Sequence, residues 1–393
     1  MRKPFFTSAI SAAALILTSC GGGGGSNDFG GTPSPSPVPT PTPAPVGFVA
    51  PAQRSLTVAD VQTIIAQAVG EAQARNLPSV IAVVDRVGNV LAVFDMNGSN
   101  NGSSDVAVST RQIGGIAGPG DTVGLQGAMV PASTAAIAKA ITGAYLSSGG
   151  NAFSSRTASQ IAQEHFPPAP TTVGLESGPL FGVQFSQLPC SDLSQRFSAM
   201  GGAGAMIGPK RSPLGLAADP GGLPIYKDGV VVGGIGIMGD GDYGFDPNIL
   251  DVDKDDEEAI ALAGIQGFAP PASITANRIS VDGTSLRFSD MVVSDLSPLQ
   301  SNFAAINGTL GNLVAVTGYT SGAILAGIAY GTEASGIRAS KSTEFANADA
   351  FVLTDGTGAN RFPIRAGTDG AANPAPLTAT EVRAILEEAF KIF

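Results

Sequence analysis

Tryptophan is absent from the 393 residues, histidine occurs once, cysteine twice, and charged side chains make up only 13%. Each scarcity excludes something. The lone histidine, His165, cannot complete a serine hydrolase triad of the usual kind, because no Gly-x-Ser-x-Gly elbow occurs to carry the nucleophile. With Cys20 read below as a modified residue, Cys190 stands alone and no intramolecular disulfide is available. Lysine and arginine number 21 against 32 carboxylates, a net charge of −11, which argues against a nucleic-acid footprint and against attraction to anionic lipid head groups. Two apolar runs, 9–17 and 321–331, both fall short of the roughly 20 residues a membrane-spanning helix needs.

What is present begins with an export pattern. Arg2 and Lys3 precede the first apolar run, and Leu17-Thr18-Ser19-Cys20 is similar to the lipobox of a bacterial lipoprotein. Residues 1–20 are therefore expected to be a signal peptide cleaved before Cys20, whose thiol carries lipid. With Gly21 next and no aspartate at position 22, this resembles an outer-membrane sorting signal, leaving the chain facing the periplasm or the cell surface. Residues 21–54 follow as a glycine run and a proline alternation (Pro33, Pro35, Pro37, Pro39, Pro41, Pro43, Pro45), expected to be a semi-rigid tether.

Beyond the tether, 43% hydrophobic content describes a chain that buries a core. Residues 56–95 set its pattern. Thr57 with Asp60 is a capping-box-like helix start, and Val61, Ile64, Ile65, Ala68, Val69 and Ala72 recur on one face. The helix is expected to end near Asn76 and Pro78, and two β-branched runs, 80–85 and 90–95, flank a turn at Arg86-Val87-Gly88-Asn89. Residues 97–130 read as a long loop or insertion. A second helix is expected after Ser133 or Thr134 with Ile137, Ile141, Ala144 and Tyr145 on one face and Lys139 off it, then a short helix over 159–165. A second insertion spans 166–219. Two strands, 222–226 and 230–238, surround Lys227-Asp228-Gly229, a strong hairpin signal, and an acidic stretch leads into a helix bearing Ile260, Ala261, Gly264, Ile265 and Phe268. Strand-like runs recur at 278–281, 285–288 and 313–316, and 321–331 is expected to be a buried strand or helix. The tail LTATEVRAILEEA, from Leu377, repeats the cap, acid and apolar spacing of LTVADVQTIIAQA, from Leu56.

Four segments taken in order carry a resemblance: the Leu56-Thr57 helix start, VVDRVGNVLAVFDMNG from Val83, IAKAITGAYLS from Ile137, and GGLPIYKDGVVVGGIGIMGD from Gly221 with Asp256-Glu257-Glu258 and its helix. Together they resemble the GlcG/HbpS-like haem-binding protein family. The resemblance implies an α+β domain with a profilin-like antiparallel sheet and packed helices, often assembled into oligomers. It also implies binding or degradation of haem, iron or corrinoid binding, or an accessory role beside glycolate oxidation. The expected organisation is a domain over 55–271 with insertions at about 97–130 and 166–219, a β-rich extension of unknown role over 272–376, and the first helix of a partial second copy over 377–393. The resemblance places the ligand surface where the second helix meets the 222–236 hairpin, with Lys139, Thr142, Gly222, Pro224, Tyr226, Gly234 and Gly236 around it.

By ligand chemistry the haem candidates are His165, Tyr145, Tyr226, Met96, Met238 and Lys139, and with no Cys-x-x-Cys-His run any haem would be held noncovalently. His165, close to Pro167-Pro168, reads most simply as a helix-end residue. Gly234 to Gly239 matches Gly-x-Gly-x-x-Gly, but Asp240, Asp242 and Asp246 follow where a pyrophosphate would need bare amides, so close strand packing is the better account. Asp251-Val252-Asp253-Lys254-Asp255 begins like an EF-hand loop, yet Asp256 occupies the glycine position, and a solvated acidic loop is expected rather than a metal site. Three functions remain open: a tetrapyrrole binder, a haem-degrading enzyme, or a structural oligomer-forming lipoprotein.

Overall fold

Thr57 and Asp60 begin the ordered domain by capping each other: the Asp60 N–H donates to the Thr57 hydroxyl at 3.1 Å and the Thr57 N–H to the Asp60 carboxylate at 2.8 Å. The computed structural model describes residues 52–109, 127–163, 165–168, 206–244, 246, 248–345, 350–368 and 375–392. Residues 1–20, expected to be a signal peptide ending at Cys20, most of the expected tether, Cys190 and much of the two expected insertions lie outside the described residues.

The capped helix, α1 (Val58–Ala74), buries Val61, Ile64, Ile65, Ala68, Val69 and Ala72 as one stripe. Asn76, at φ 54°, turns the chain into β1 (Val80–Asp85) and β2 (Val90–Met96), with Gly88 at φ 81° between them. Then come β3 (Asp105–Val108), β4 (Met129–Pro131), α2 (Ala132–Leu146) and α3 (Ser155–Ile161). β5 (Gly222–Lys227) and β6 (Val230–Met238) are joined by Asp228 at φ 53° and Gly229 at φ 78°, the two left-handed positions a tight hairpin turn requires. β7 (Asp242–Tyr243), α4 (Asp256–Gly264), β8 (Ser280–Val281), β9 (Thr284–Ser285), α5 (Phe303–Ile306), β10 (Gly311–Leu313), β11 (Ile337–Ala339), β12 (Phe351–Leu353) and α6 (Ala379–Ile392) complete the order.

The fold is the expected α+β arrangement. Its main sheet runs β10-β2-β1-β6-β5 with every pair antiparallel. Side chains alternate across it as strand geometry dictates. Ile81, Val83, Ile235 and Ile237 join α1 and α4 in one core, while Val80, Ala82, Val84 and Met238 join α2 in a second core on the opposite face.

Tertiary pairing overrode several local expectations. The fifth strand of the sheet, β10, comes from the 272–376 extension, pairing Gly311 with Met96 and Leu313 with Phe94. Residues 97–130 are not simply a loop, because β3 pairs with β4 and runs parallel to β7. α2 begins one residue ahead of the expected cap: Thr134 turns its hydroxyl back to the Pro131 carbonyl at 2.7 Å. α3 starts at Ser155, not 159, because Ser154 and Thr157 form a reciprocal cap. The 321–331 stretch is neither strand nor helix. Its amides bond to other segments instead, Leu325 to the Leu91 carbonyl and Gly327 to that of Leu56, both at 2.9 Å. α6 carries the same reciprocal cap as α1, here between Thr378 and Glu381, but Ile385 is 56% exposed where Ile64 is 0%.

Candidate functional site

The seam between α2 and the β5–β6 hairpin is closed. Cβ atoms built on Gly234 and Gly236 fall 2.1 Å from the carbonyl oxygens of Ala140 and Ala136, and one on Gly222 falls 2.5 Å from that of Lys139. The glycines are there because the helix backbone lies directly on the strand, which accounts for the Gly-x-Gly-x-x-Gly spacing without a nucleotide. Pro224 pairs with Gly234 in the same buried layer. The Thr142 hydroxyl is fully used, donating to the Ala138 carbonyl at 2.8 Å and accepting from the Ala217 N–H at 2.7 Å. Tyr226 is 2% exposed and donates to the Ser148 carbonyl at 2.7 Å. The expected ligand surface is thus an interior packing layer; the structure gathers Lys139, Thr142, Gly222, Pro224, Gly234 and Gly236 but leaves no room among them. Tyr145, hydrogen-bonded to the Val87 and Lys210 carbonyls, and the buried Met96 and Met238 are likewise committed to packing. His165 is exposed just past α3 and is not part of this layer.

Lys139 is not off the buried face but completely enclosed, because α2 is apolar all round and covered on every side. Its ammonium pairs with Asp219 at 2.5 Å and with Glu257, whose other oxygen accepts from the Gly239 and Asp240 amides. A second enclosed cation, Arg156 of α3, is 0% exposed and donates to Glu258 at 3.0 Å, Asp246 at 2.8 Å and Asp253 at 3.1 Å, with Asp290 3.5 Å away. Arg287 reinforces it from the extension, bonding Asp290 at 2.8 Å. The acidic stretch is solvated at Asp251, Lys254 and Asp256, as expected, but its two ends turn inward, and Asp246 and Glu258 are interior groups held by a guanidinium. Carboxylate oxygens of Asp246, Asp251 and Asp253 do lie within 4.8 Å of one another, with Asp251 exposed.

Burial drives the ionisation of both networks. It pushes Glu257 up to about 8 and Glu258 up to about 7, with Lys139 and Arg156 only partly offsetting it. Asp219 is raised for the same reason, and the surrounding carboxylates hold Lys139 above its ordinary value. In the unfolded chain the two glutamates lose their protons near 4.5, so between there and their raised folded values the native state binds more protons. Their stabilising contribution is full below that point and is lost as pH rises through about 7 and 8. Glu344 works in the other direction, held down to about 2 by Arg338, and its contribution disappears as pH falls through that value. Melting temperatures followed by circular dichroism should therefore peak near about pH 5 and decline toward about pH 8. A melting temperature that climbs steadily across that interval would contradict this assignment.

An open volume exists elsewhere. A cavity of about 350 Å³ lies at the turn between β1 and β2, lined by Asn89, Met206, Lys210, Thr317, Tyr319 and Leu325 among others. Its floor is built on Asp85, fully buried, whose Oδ1 accepts from the Val87 and Asn89 amides at 3.0 and 2.9 Å. Oδ2 accepts from the Asn89 side-chain amide at 2.8 Å and from the Ile328 N–H at 3.1 Å. Burial pushes the Lys210 amine down to about 8.

Sequence reasoning missed Arg156, Asp219, Asn89 and Lys210. Some signal existed. A lysine inside AAIAKAIT demands a buried acid, and glutamates at 257 and 258 directly ahead of Ala259-Ile260 place carboxylates at a core boundary that needs cations. Nothing local marks Asn89 or Lys210, which meet only through the long 206–210 and 315–325 approaches.

The fold and site define an α+β domain with an antiparallel sheet between helices, two enclosed ion networks and a ligand-sized cavity. Residues 56–113, spanning α1, β1, β2 and β3, match the family model described as haem degrading protein HbpS-like, the same family the sequence motifs resemble. No curated protein matches the chain. Among solved structures it is similar to the PduOC:heme complex, at 16% identity and TM-score 0.28, over 55% of this chain and 96% of that one. It is similar to Klebsiella pneumoniae protein ORFY at 16% identity and TM-score 0.29, over 56% and 95%. A Streptomyces reticuli HbpS double mutant aligns at 18% identity and TM-score 0.25, over 59% and 98%.

Proposed function

We propose that this chain is an exported, lipid-anchored protein that binds haem or a related tetrapyrrole. The observation that carries the reading is the HbpS-like family match over residues 56–113. The lipobox ending in Cys20 and the proline-rich tether support the anchor and the outer-membrane, periplasm-facing or surface location. The α2–hairpin seam does not fit a porphyrin, since backbone fills the space the glycines leave. The cavity carries donor types that hold haem iron, the Met206 thioether and the Tyr319 phenol, but at about 350 Å³ it takes in only part of a porphyrin, which would lie across its mouth. Those two side chains would hold the iron. Haem, when bound, supplies the redox chemistry.

Protein from residue 21 onward, titrated with haemin, should give a saturable Soret shift, and Met206→Ala with Tyr319→Phe should weaken it. Absence of any shift beyond buffer overturns the reading. The family description also names degradation, which favours a second reading as a haem-degrading enzyme. Release of iron with loss of the Soret band under reductant separates turnover from binding.

A further inference from the structure

The cavity contains a built recognition pair that haem-iron ligation does not use. Asn89 is 0% exposed, and donation of its side-chain amide to Asp85 fixes which way the group is turned. Its Oδ1 is left buried without any partner. A buried acceptor of this kind costs stability until a donor reaches it, so the position is one a ligand N–H or O–H can satisfy. Lys210, 6% exposed, lines the same cavity and supplies a cation. The buried Asp85 carboxylate acts on Lys210 more strongly than Arg361 does, so the amine already faces one opposite charge and one like charge, and Arg211 stands beside Tyr319. Hydroxyl-bearing Thr317, Thr320 and Ser321 complete a polar rim. Three cations around the one buried carboxylate of Asp85 contrast with a chain of net charge −11.

We infer that this cavity binds a small organic carboxylate bearing a hydrogen-bond donor, the carboxylate engaging Lys210 and the donor satisfying Asn89 Oδ1. The buried Asp85 sets the geometry from below: it holds Asn89 through both backbone and side chain, so the acceptor is preorganised before the ligand arrives. A ligand without the donor leaves Asn89 unpaired and is discriminated against for that reason. The inference rests on the cavity itself and does not require the haem reading. The carboxylate could belong to a free small acid or to a haem propionate, a shared chemistry that one set of titrations separates.

The full chain is titrated calorimetrically with 3-hydroxybutyrate and with butyrate, which differ only in the hydroxyl. The hydroxy acid should bind at least tenfold more tightly, and Lys210→Gln should weaken it by tenfold or more while circular dichroism remains native. Equal affinity for the two acids, no binding of either, or binding unchanged by Lys210→Gln overturns the inference. If that variant fails to fold, the comparison of the two acids on the native protein decides alone. Haemin is then added to the loaded protein: displacement of the acid assigns the carboxylate to a propionate, and retention assigns it to a free acid. Haemin failing to bind while the hydroxy acid does sinks the haem proposal and leaves this one standing.

Discussion

Arg156→Met lowers the unfolding free energy by about 3–5 kcal/mol near neutral pH, because it removes the cation that holds Glu258 and, among the described residues, leaves Asp246 and Asp290 to Arg287 alone. The side chain is 0% exposed and faces Glu258, Asp246 and Asp290, whose own side chains are 0%, 2% and 1% exposed. Burial of these three side chains limits how far water could replace the guanidinium. The penalty arises from charge, so it should shrink toward about pH 4, where the same carboxylates are also protonated in the unfolded chain and keeping them neutral inside no longer costs stability. It should also be recovered in large part by Asp246→Asn with Glu258→Gln in the same chain, since the remaining buried carboxylate, Asp290, keeps Arg287 as its counter-ion. Denaturant unfolding of the three proteins at two pH values measures all of this. A variant that loses the same stability at both values, with no recovery in the triple substitution, would show that Arg156 acts through packing and not through charge.

Gly236→Val costs more than about 3 kcal/mol, at the severe end for overpacking, because the clash is with backbone and no rotamer relieves it. The first added carbon would lie 2.1 Å from the Ala136 carbonyl oxygen and 2.5 Å from the Ala140 nitrogen. Either α2 lifts off the sheet, opening the second core, or β6 shifts register. Gly229→Ala is the companion measurement. At φ 78° with nothing within 4 Å of an added carbon, its cost is confined to backbone strain, about 1 kcal/mol. Urea midpoints for the two variants that come out equal would remove the close helix–strand approach as the reason for the glycines.

The closed seam changes the meaning of the motif that carried the family resemblance. The resemblance puts GGLPIYKDGVVVGGIGIMGD beside a ligand, whereas the structure places its glycines against α2 and its tyrosine hydroxyl on a backbone carbonyl. Small residues in a strand signal that something approaches closely. They do not distinguish a ligand from the protein's own helix, and here the helix takes the space.

Local chemistry determined the elements whose signals are contained within a few residues. The Thr57–Asp60 cap, the stripe from Val61 to Ala72, the strands expected over 80–85 and 90–95 and the Asp228-Gly229 turn stand within one residue of where the pattern puts them, since capping, periodicity and left-handed turn positions depend only on neighbours in sequence. Those elements suffice for an antiparallel sheet flanked by helices. What only the tertiary structure decided depends on partners far apart in the chain. β10 closes the sheet edge from more than two hundred residues away from β2, an edge pairing that its short, glycine-started sequence does not announce. Arg156 finds Glu258 over 102 positions, and Lys139 finds Glu257 over 118. Asn89 meets Lys210 only across the cavity wall. Burial and long-range charge are properties of the assembled interior, so a lysine, an arginine and an asparagine that look ordinary in the sequence acquire their chemistry when the chain closes around them.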